Sequence, residues 1–190
     1  MRVIAGQFRS RNLRSLEGQE TRPTYDRLRE TLFNVLASAG VIEDAVFVDL
    51  FAGTGSIGIE ALSRGARMVY FSESEKKAAR IIRENLASLG VSEGFELHER
   101  DAVQTVRLLD STGVSCDVCF LDPPYQMHGA YEQVLGLLSQ MQMVTPRTIV
   151  VAEHDKRFDP GEKHGSLVRY RLLNQGDSSL SFYRKQVPTQ

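Results

Sequence analysis

A nearly continuous apolar run, Val46-Phe47-Val48-Asp49-Leu50, is followed at once by Gly53-Thr54-Gly55-Ser56-Ile57-Gly58. A run that is apolar at successive positions reads as a strand covered on both faces, and glycines directly after it permit the tight turn into a helix. The alternation continues down the chain. Residues 68–71 read as a second strand, 75–89 as a helix stopped by Gly90, 95–99 as a third strand, 102–109 as a short helix and 114–121 as a fourth strand. A helix through Tyr131, Val134, Leu135, Leu138 and Met141 leads to a fifth strand at 148–152. Residues 167–173 and 180–184 then read as a closing antiparallel hairpin. This order predicts an α/β, doubly wound, Rossmann-like sheet, mostly parallel. Its ligand should lie outside the carboxyl ends of the strands, near the switch in strand order.

The length of 190 residues suits a single domain. We divide it into a basic N-terminal extension (1–23), a leading helix (24–40) and a core (45–185), with no repeat or linker between them. No apolar run approaches the roughly 20 residues of a membrane span, or the shorter core of a secretory signal. With two cysteines, a cytoplasmic location is the expectation. The net charge of −1 does not announce nucleic acid, but residues 1–16 hold four arginines (Arg2, Arg9, Arg11, Arg14) and no acid. Arginines on such an arm can bind phosphates. The extension has short apolar pieces around Gly6 that could pair as a small hairpin, expected at the edge of the fold.

The glycine loop matches GxGxxG, and Glu73 falls 20 residues after Gly53, where a carboxylate can accept hydrogen bonds from ribose hydroxyls. NAD and S-adenosylmethionine satisfy that pattern equally. Asp49 favours the second: a buried acid would be repelled by a pyrophosphate, whereas an ammonium and a sulfonium would compensate it. Asp101 and the Ala102 N–H, after the third strand, can serve an adenine, although Asp101 is equally a helix N-cap.

Asp122-Pro123-Pro124-Tyr125 closes the fourth strand. The nitrogen of an exocyclic amine on a base is a poor nucleophile until its two N–H groups are drawn to acceptors. Asp122 offers one acceptor and the Pro123 carbonyl another, both pre-set by the fixed proline backbone. Tyr125 can stack on a base swung out of its helix. No strong general base is needed.

These features, with Met1-Arg-Val-Ile-Ala-Gly6, the stretch from Arg22 to Phe33, Phe51 to Ala61 and Glu84-Asn-Leu86, resemble the bacterial small-subunit ribosomal RNA guanine-N2 methyltransferase family. The resemblance runs from Met1 to about Arg184. It implies a seven-stranded sheet of the class I S-adenosylmethionine-dependent methyltransferases, acting as a monomer without metal on 16S RNA in the assembled or assembling small subunit. It implies Asp122, Pro123 and Tyr125 as the catalytic loop and Gly53, Gly55, Glu73, Asp101 and Ala102 as cofactor residues, to which Asp49 is added. Arg22, Arg27 and Arg29 would join Arg9 and Arg11 as RNA contacts. Ser72 departs from the family's usual apolar residue before the ribose-binding acid and would loosen the strand end, and residues 126–129 find no match.

Three readings remain open on the residues alone: a guanine-N2 methyltransferase, an enzyme of similar chemistry on adenine or cytosine amines, and a non-catalytic binding protein. The spacing does not separate guanine from adenine. Cys116 and Cys119 have CxxC spacing but read as core, on opposite faces of one strand. His128 reads as a solvated loop residue and Glu153 as a polar strand terminus.

Overall fold

In a computed structural model of the chain, residues 1–16, 23–124 and 126–186 are described, the side chains of Pro23 and Thr24 aside. The parallel part of the sheet forms as the alternation predicts: β1 (Val46–Asp49), β2 (Met68–Ser72), β3 (Phe95–His98), β4 (Cys116–Leu121) and β5 (Val144–Asp155). Between them run α2 (Ser56–Ser63), α3 (Lys76–Ser88), α4 (Ala102–Ser111) and α5 (His128–Gln140), and α1 (Pro23–Ser38) precedes them all. The strand order is β3-β2-β1-β4-β5-β8-β7-β6, so the chain reverses direction across the sheet between β1 and β4. β8 (Ser178–Lys185) inserts antiparallel between β5 and β7 (Leu167–Gln175).

The sheet has eight described strands, not seven. The addition is β6 (Lys163–His164), paired antiparallel with β7. Two residues carry no periodicity, so nothing in their composition announced them.

Strand side chains alternate between two apolar layers. Phe47, Val69, Phe71, Val118, Phe120 and Val151 face the layer shared with α1, α2 and α3. Val46, Val48, Cys119, Leu121, Val150 and Ala152 face the layer shared with α4 and α5. The helices fit closely: a Cβ at Gly58 in α2 would stand 2.2 Å from the Phe71 ring, so the last glycine of the loop motif is required by helix–strand packing.

Two expectations are corrected. Cys116 and Cys119 lie in the same apolar layer, because the β4–β5 register shifts between Cys116 and Val118 and breaks the strict alternation. Both are buried, and burial pushes the Cys116 thiol up to about 12, so core packing holds while the opposite-face argument does not. The N-terminal extension is also not peripheral. Val3 and Leu13 are buried in the α1–α3 layer, although the expected small hairpin does form, around an antiparallel Arg2–Asn12 bridge with the Val3 N–H donating to the Arg11 carbonyl at 2.9 Å and the Leu13 N–H to the Met1 carbonyl at 2.7 Å. Glu60 of α2 anchors it, its carboxylate accepting the Ile4 N–H at 2.8 Å and the Ala5 N–H at 3.0 Å.

Candidate active site

The reversal between β1 and β4 leaves a cleft of about 730 Å³ outside the strand ends, a size suited to a cofactor-sized ligand. Asp49, Gly53, Glu73, Asp101, Ala102, Asp122 and Pro123 all line it. Residues that lie far apart in sequence therefore share one wall.

Asp49 ends β1. Alternation puts it on the side of α2, where its Oδ2 accepts the Gly58 N–H at 3.1 Å. Its Oδ1 is buried with no hydrogen-bond partner among the described residues. Burial, reinforced by the charges of Asp122 and Glu73 and opposed by the Gly58 N–H, pushes its carboxyl up to about 7. A buried carboxylate oxygen without a partner is costly unless a ligand completes it.

The loop after β1 needs its glycines for two reasons. Gly53 and Gly55 have φ of 54° and 85°, the left-handed region that L side chains resist. The Gly53 N–H also donates to Glu73 Oε2 at 2.8 Å, while Glu73 Oε1 accepts the Glu75 N–H at 2.7 Å. Glu73 is thus fixed at the rim with a lone pair left on each oxygen. Gly55 does not line the cleft; a Cβ there would press on Ile82 and Ile59, so its part is in the turn.

Asp101 is the N-cap of α4, its Oδ1 accepting the Gln104 N–H at 2.8 Å, and it also lines the cleft beside buried Ala102. The N-cap reading holds, and the residue borders the cleft as well. Ser72 does not loosen the strand end: it is buried, 2.7 Å from the Thr105 hydroxyl and 3.1 Å from the Arg100 carbonyl, tying β2 to α4.

Asp122 follows β4 directly, with Pro123 buried and Pro124 exposed behind it. The Met127 N–H donates to the Pro124 carbonyl at 2.7 Å and closes the loop into α5. Tyr125 lies outside the described residues, as does Arg22. His128 is not a free loop residue; it opens α5 and stacks on Phe158 with ring centroids 4.2 Å apart.

Sequence reasoning misses Glu153. It sits inside β5 rather than at its end, lines the same cleft, is 6% exposed, and has its Oε1 buried without a partner among the described residues. Burial holds its carboxyl well above the usual range, and the charge of Asp122 adds to this; burial likewise raises Asp122. Only its place beside a second acid, on a strand distant in sequence, marks it.

The arginines divide. Arg9, Arg11 and Arg27 are exposed, and Arg11 donates to the Ser88 carbonyl at 2.8 Å. Arg29 contradicts the expectation of a surface position: it is 5% exposed, its guanidinium donating to the Arg2 carbonyl at 2.6 Å and to Asp26 at 3.0 Å, with Glu60 3.9 Å away. It joins α1, α2 and the N-terminal extension.

The residues present fit S-adenosylmethionine. Asp49 Oδ1 lacks the positive charge that an ammonium and a sulfonium would bring, Glu73 keeps acceptors that a ribose could use, and Asp101 and Ala102, at the start of α4, line the same cleft.

A family model described as conserved hypothetical protein 95 matches residues 1–184. A Bacillus subtilis protein named as a candidate rRNA methyltransferase, YlbH, is 33% identical over 186 residues, covering 98% of this chain and 100% of the relative. Ribosomal RNA small subunit methyltransferase D of Haemophilus influenzae is 38% identical, over 82% of this chain and 79% of its own. Among solved structures, a candidate methyltransferase from Escherichia coli, yhhF, superposes with a TM-score of 0.83 at 30% identity, over 98% of each chain.

Proposed function

Because the chain belongs to the family described as conserved hypothetical protein 95, with relatives named for methylating ribosomal RNA, we propose that it is an S-adenosylmethionine-dependent methyltransferase of small-subunit ribosomal RNA, acting on the exocyclic 2-amino group of one guanine. The observation that carries this reading is the convergence of Asp122 and Pro123 with Asp49 and Glu73 on one cleft at the sheet's reversal.

When bound, S-adenosylmethionine supplies an electrophilic methyl group on a sulfonium. Asp49, Gly53, Glu73, Asp101 and Ala102 are the residues proposed to hold it. Asp122 and the Pro123 carbonyl accept the two amine N–H groups of the base, directing the nitrogen lone pair out of the ring plane. Because the strand end and the prolines fix both acceptors in advance, they need no reorganisation as charge develops on the nitrogen. Tyr125 is proposed to stack on the base. Asp122 can also receive the proton that the methylated amine gives up.

The RNA-facing set is proposed as Arg9, Arg11, Arg22 and Arg27. With a near-neutral whole, these contacts favour an assembled or assembling subunit, whose shape adds to phosphate binding, over naked RNA. The protein is proposed to work as a monomer of one domain in the cytoplasm.

The test is transfer of labelled methyl from S-adenosylmethionine to small subunits from cells lacking this protein, beside deproteinised 16S RNA and duplex DNA, with nucleoside analysis. N2-methylguanosine in the subunits is the expected product. Label on adenine or cytosine, or in DNA, overturns the choice of base or polymer, and no label anywhere despite cofactor binding overturns the enzyme.

A further inference from the structure

We propose that Glu153 reads the base: its carboxyl group accepts the N1–H of the guanine whose 2-amino group is held by Asp122. This rests on the methyltransferase reading above and supplies what selects guanine within it.

The placement comes from the sheet. β4 and β5 run parallel with Leu121 opposite Ala152 as their last registered pair, so Asp122 and Glu153 are the next step on adjacent strands. Leu121 and Ala152 face the α4–α5 layer, and alternation turns the following residues to the other side. That side also takes Asp49, in register with Phe120 of β4, and Leu180, the β8 partner of Glu153, and both line the cleft with the two acids.

A structural role does not account for Glu153. It is 6% exposed, its Oε1 has no hydrogen-bond partner, and no cation pairs with it among the described residues. Its neighbours Val151 and Ala152 show what the core accepts on this strand. A buried acid that lines a ligand cleft and keeps an acceptor without a partner is expensive for folding and is explained by a donor that arrives with the substrate.

Guanine brings that donor. Its Watson–Crick edge carries N1–H beside the 2-amino group, so an amine held at Asp122 leaves one further N–H on the same edge. Adenine at N1 and cytosine at N3 present a lone pair beside their amines instead. A carboxylate oxygen accepts from the first and repels the other two. A site built around a hydrogen bond of this kind rejects bases lacking the donor strongly, because its own buried group is then left unpaired. The carboxylate is the selecting form, since a protonated carboxyl, like the Gln amide, can donate to a ring nitrogen.

The experiment uses small subunits reconstituted with 16S RNA carrying either guanine or 2,6-diaminopurine at the mapped position. Diaminopurine retains the 2-amino group but has an acceptor at N1. The wild-type protein is expected to prefer guanine by about a hundredfold or more in kcat/KM. Glu153→Gln, whose amide can donate as well as accept, is expected to reduce that preference at least about tenfold, and Glu153→Leu to lower it similarly by removing the acceptor. The same ratio is read by filter binding, so a variant without turnover still reports. Binding of S-adenosylhomocysteine should be unchanged in both variants. A guanine preference unaltered in either variant overturns the role of Glu153. Absence of transfer by the wild type to guanine subunits overturns instead the methyltransferase reading on which it rests.

Discussion

Asp49 gives one carboxylate oxygen to the Gly58 N–H at 3.1 Å and leaves the other buried and unpartnered among the described residues. The strand that opens the first βα unit is thereby tied to the helix that follows the loop, and Asp49 itself lines the cleft. Its raised value, about 7 against an ordinary 3.8, sets a pH dependence with a definite sign. Between about pH 4 and about pH 7 the folded protein holds a proton that the unfolded chain has released, so the cofactor-free protein loses stability as pH rises through that window. A cationic ligand prefers the carboxylate, so affinity for S-adenosylmethionine should instead rise from about pH 6 to about pH 8, with proton release on binding. Calorimetry in buffers of different ionisation enthalpy measures that release. Asp49→Asn should bind more weakly and lose most of the slope, and an affinity that is flat over this range in the wild type would remove Asp49 from the cofactor's cationic end.

Asp122 is expected to act on the base and not on the cofactor. Asp122→Ala should lower methyl transfer by about a hundredfold to a thousandfold, the cost of removing one preorganised acceptor or donor from a reacting centre. Binding of S-adenosylmethionine, followed by equilibrium dialysis, should remain close to the wild-type value. Loss of cofactor binding in this variant would assign Asp122 to the cofactor or to the fold.

How much of the molecule is legible in the chain depends on how local the signal is. β1, its glycine loop and α2 are legible because the apolar run, the glycines and the buried acid are contiguous, and the structure finds the loop turned by left-handed Gly53 and Gly55. β5 begins at Val144, earlier than its apolar stretch suggests, since Thr145, Pro146 and Arg147 carry no strand pattern. Glu153 is illegible for a different reason: its meaning comes from Asp122 on the neighbouring strand, a register that no local pattern shows. Arg29 looks like a surface arginine because the N-terminal extension that covers it lies more than twenty residues earlier. Strict alternation assigns Cys116 and Cys119 to opposite faces, and the irregularity near Val118 breaks it.

Glu60 should matter for stability out of proportion to its distance from the cleft's acids. It is fully buried, accepts the Ile4 and Ala5 N–H groups, pairs with Arg64 at 2.7 Å and lies 3.9 Å from Arg29. Glu60→Ala leaves buried Arg29 with Asp26 as its carboxylate partner, removes the partner of Arg64 and frees two N–H donors, a change expected to cost about 3–5 kcal/mol. Urea unfolding measures the loss, and limited proteolysis should cut the extension sooner than in the wild type. A stability within about 1 kcal/mol of the wild type would mean that the extension is held by its apolar residues alone.

The arginines are expected to separate by burial. Arg9 and Arg27 are exposed, and removing one arginine–phosphate ion pair should lower the salt dependence of subunit binding by about one unit of log–log slope. The double variant Arg9→Ala, Arg27→Ala should therefore bind unmethylated small subunits more weakly at low salt, with its melting temperature unchanged. Arg29→Ala should do the opposite, because its guanidinium is spent inside the fold on the Arg2 carbonyl and Asp26. It should melt earlier while keeping the wild-type salt slope. Filter binding across a salt series, beside thermal unfolding of each variant, separates the two classes. A salt slope reduced in Arg29→Ala and intact in the double variant would move the RNA-binding surface to the cleft side of α1.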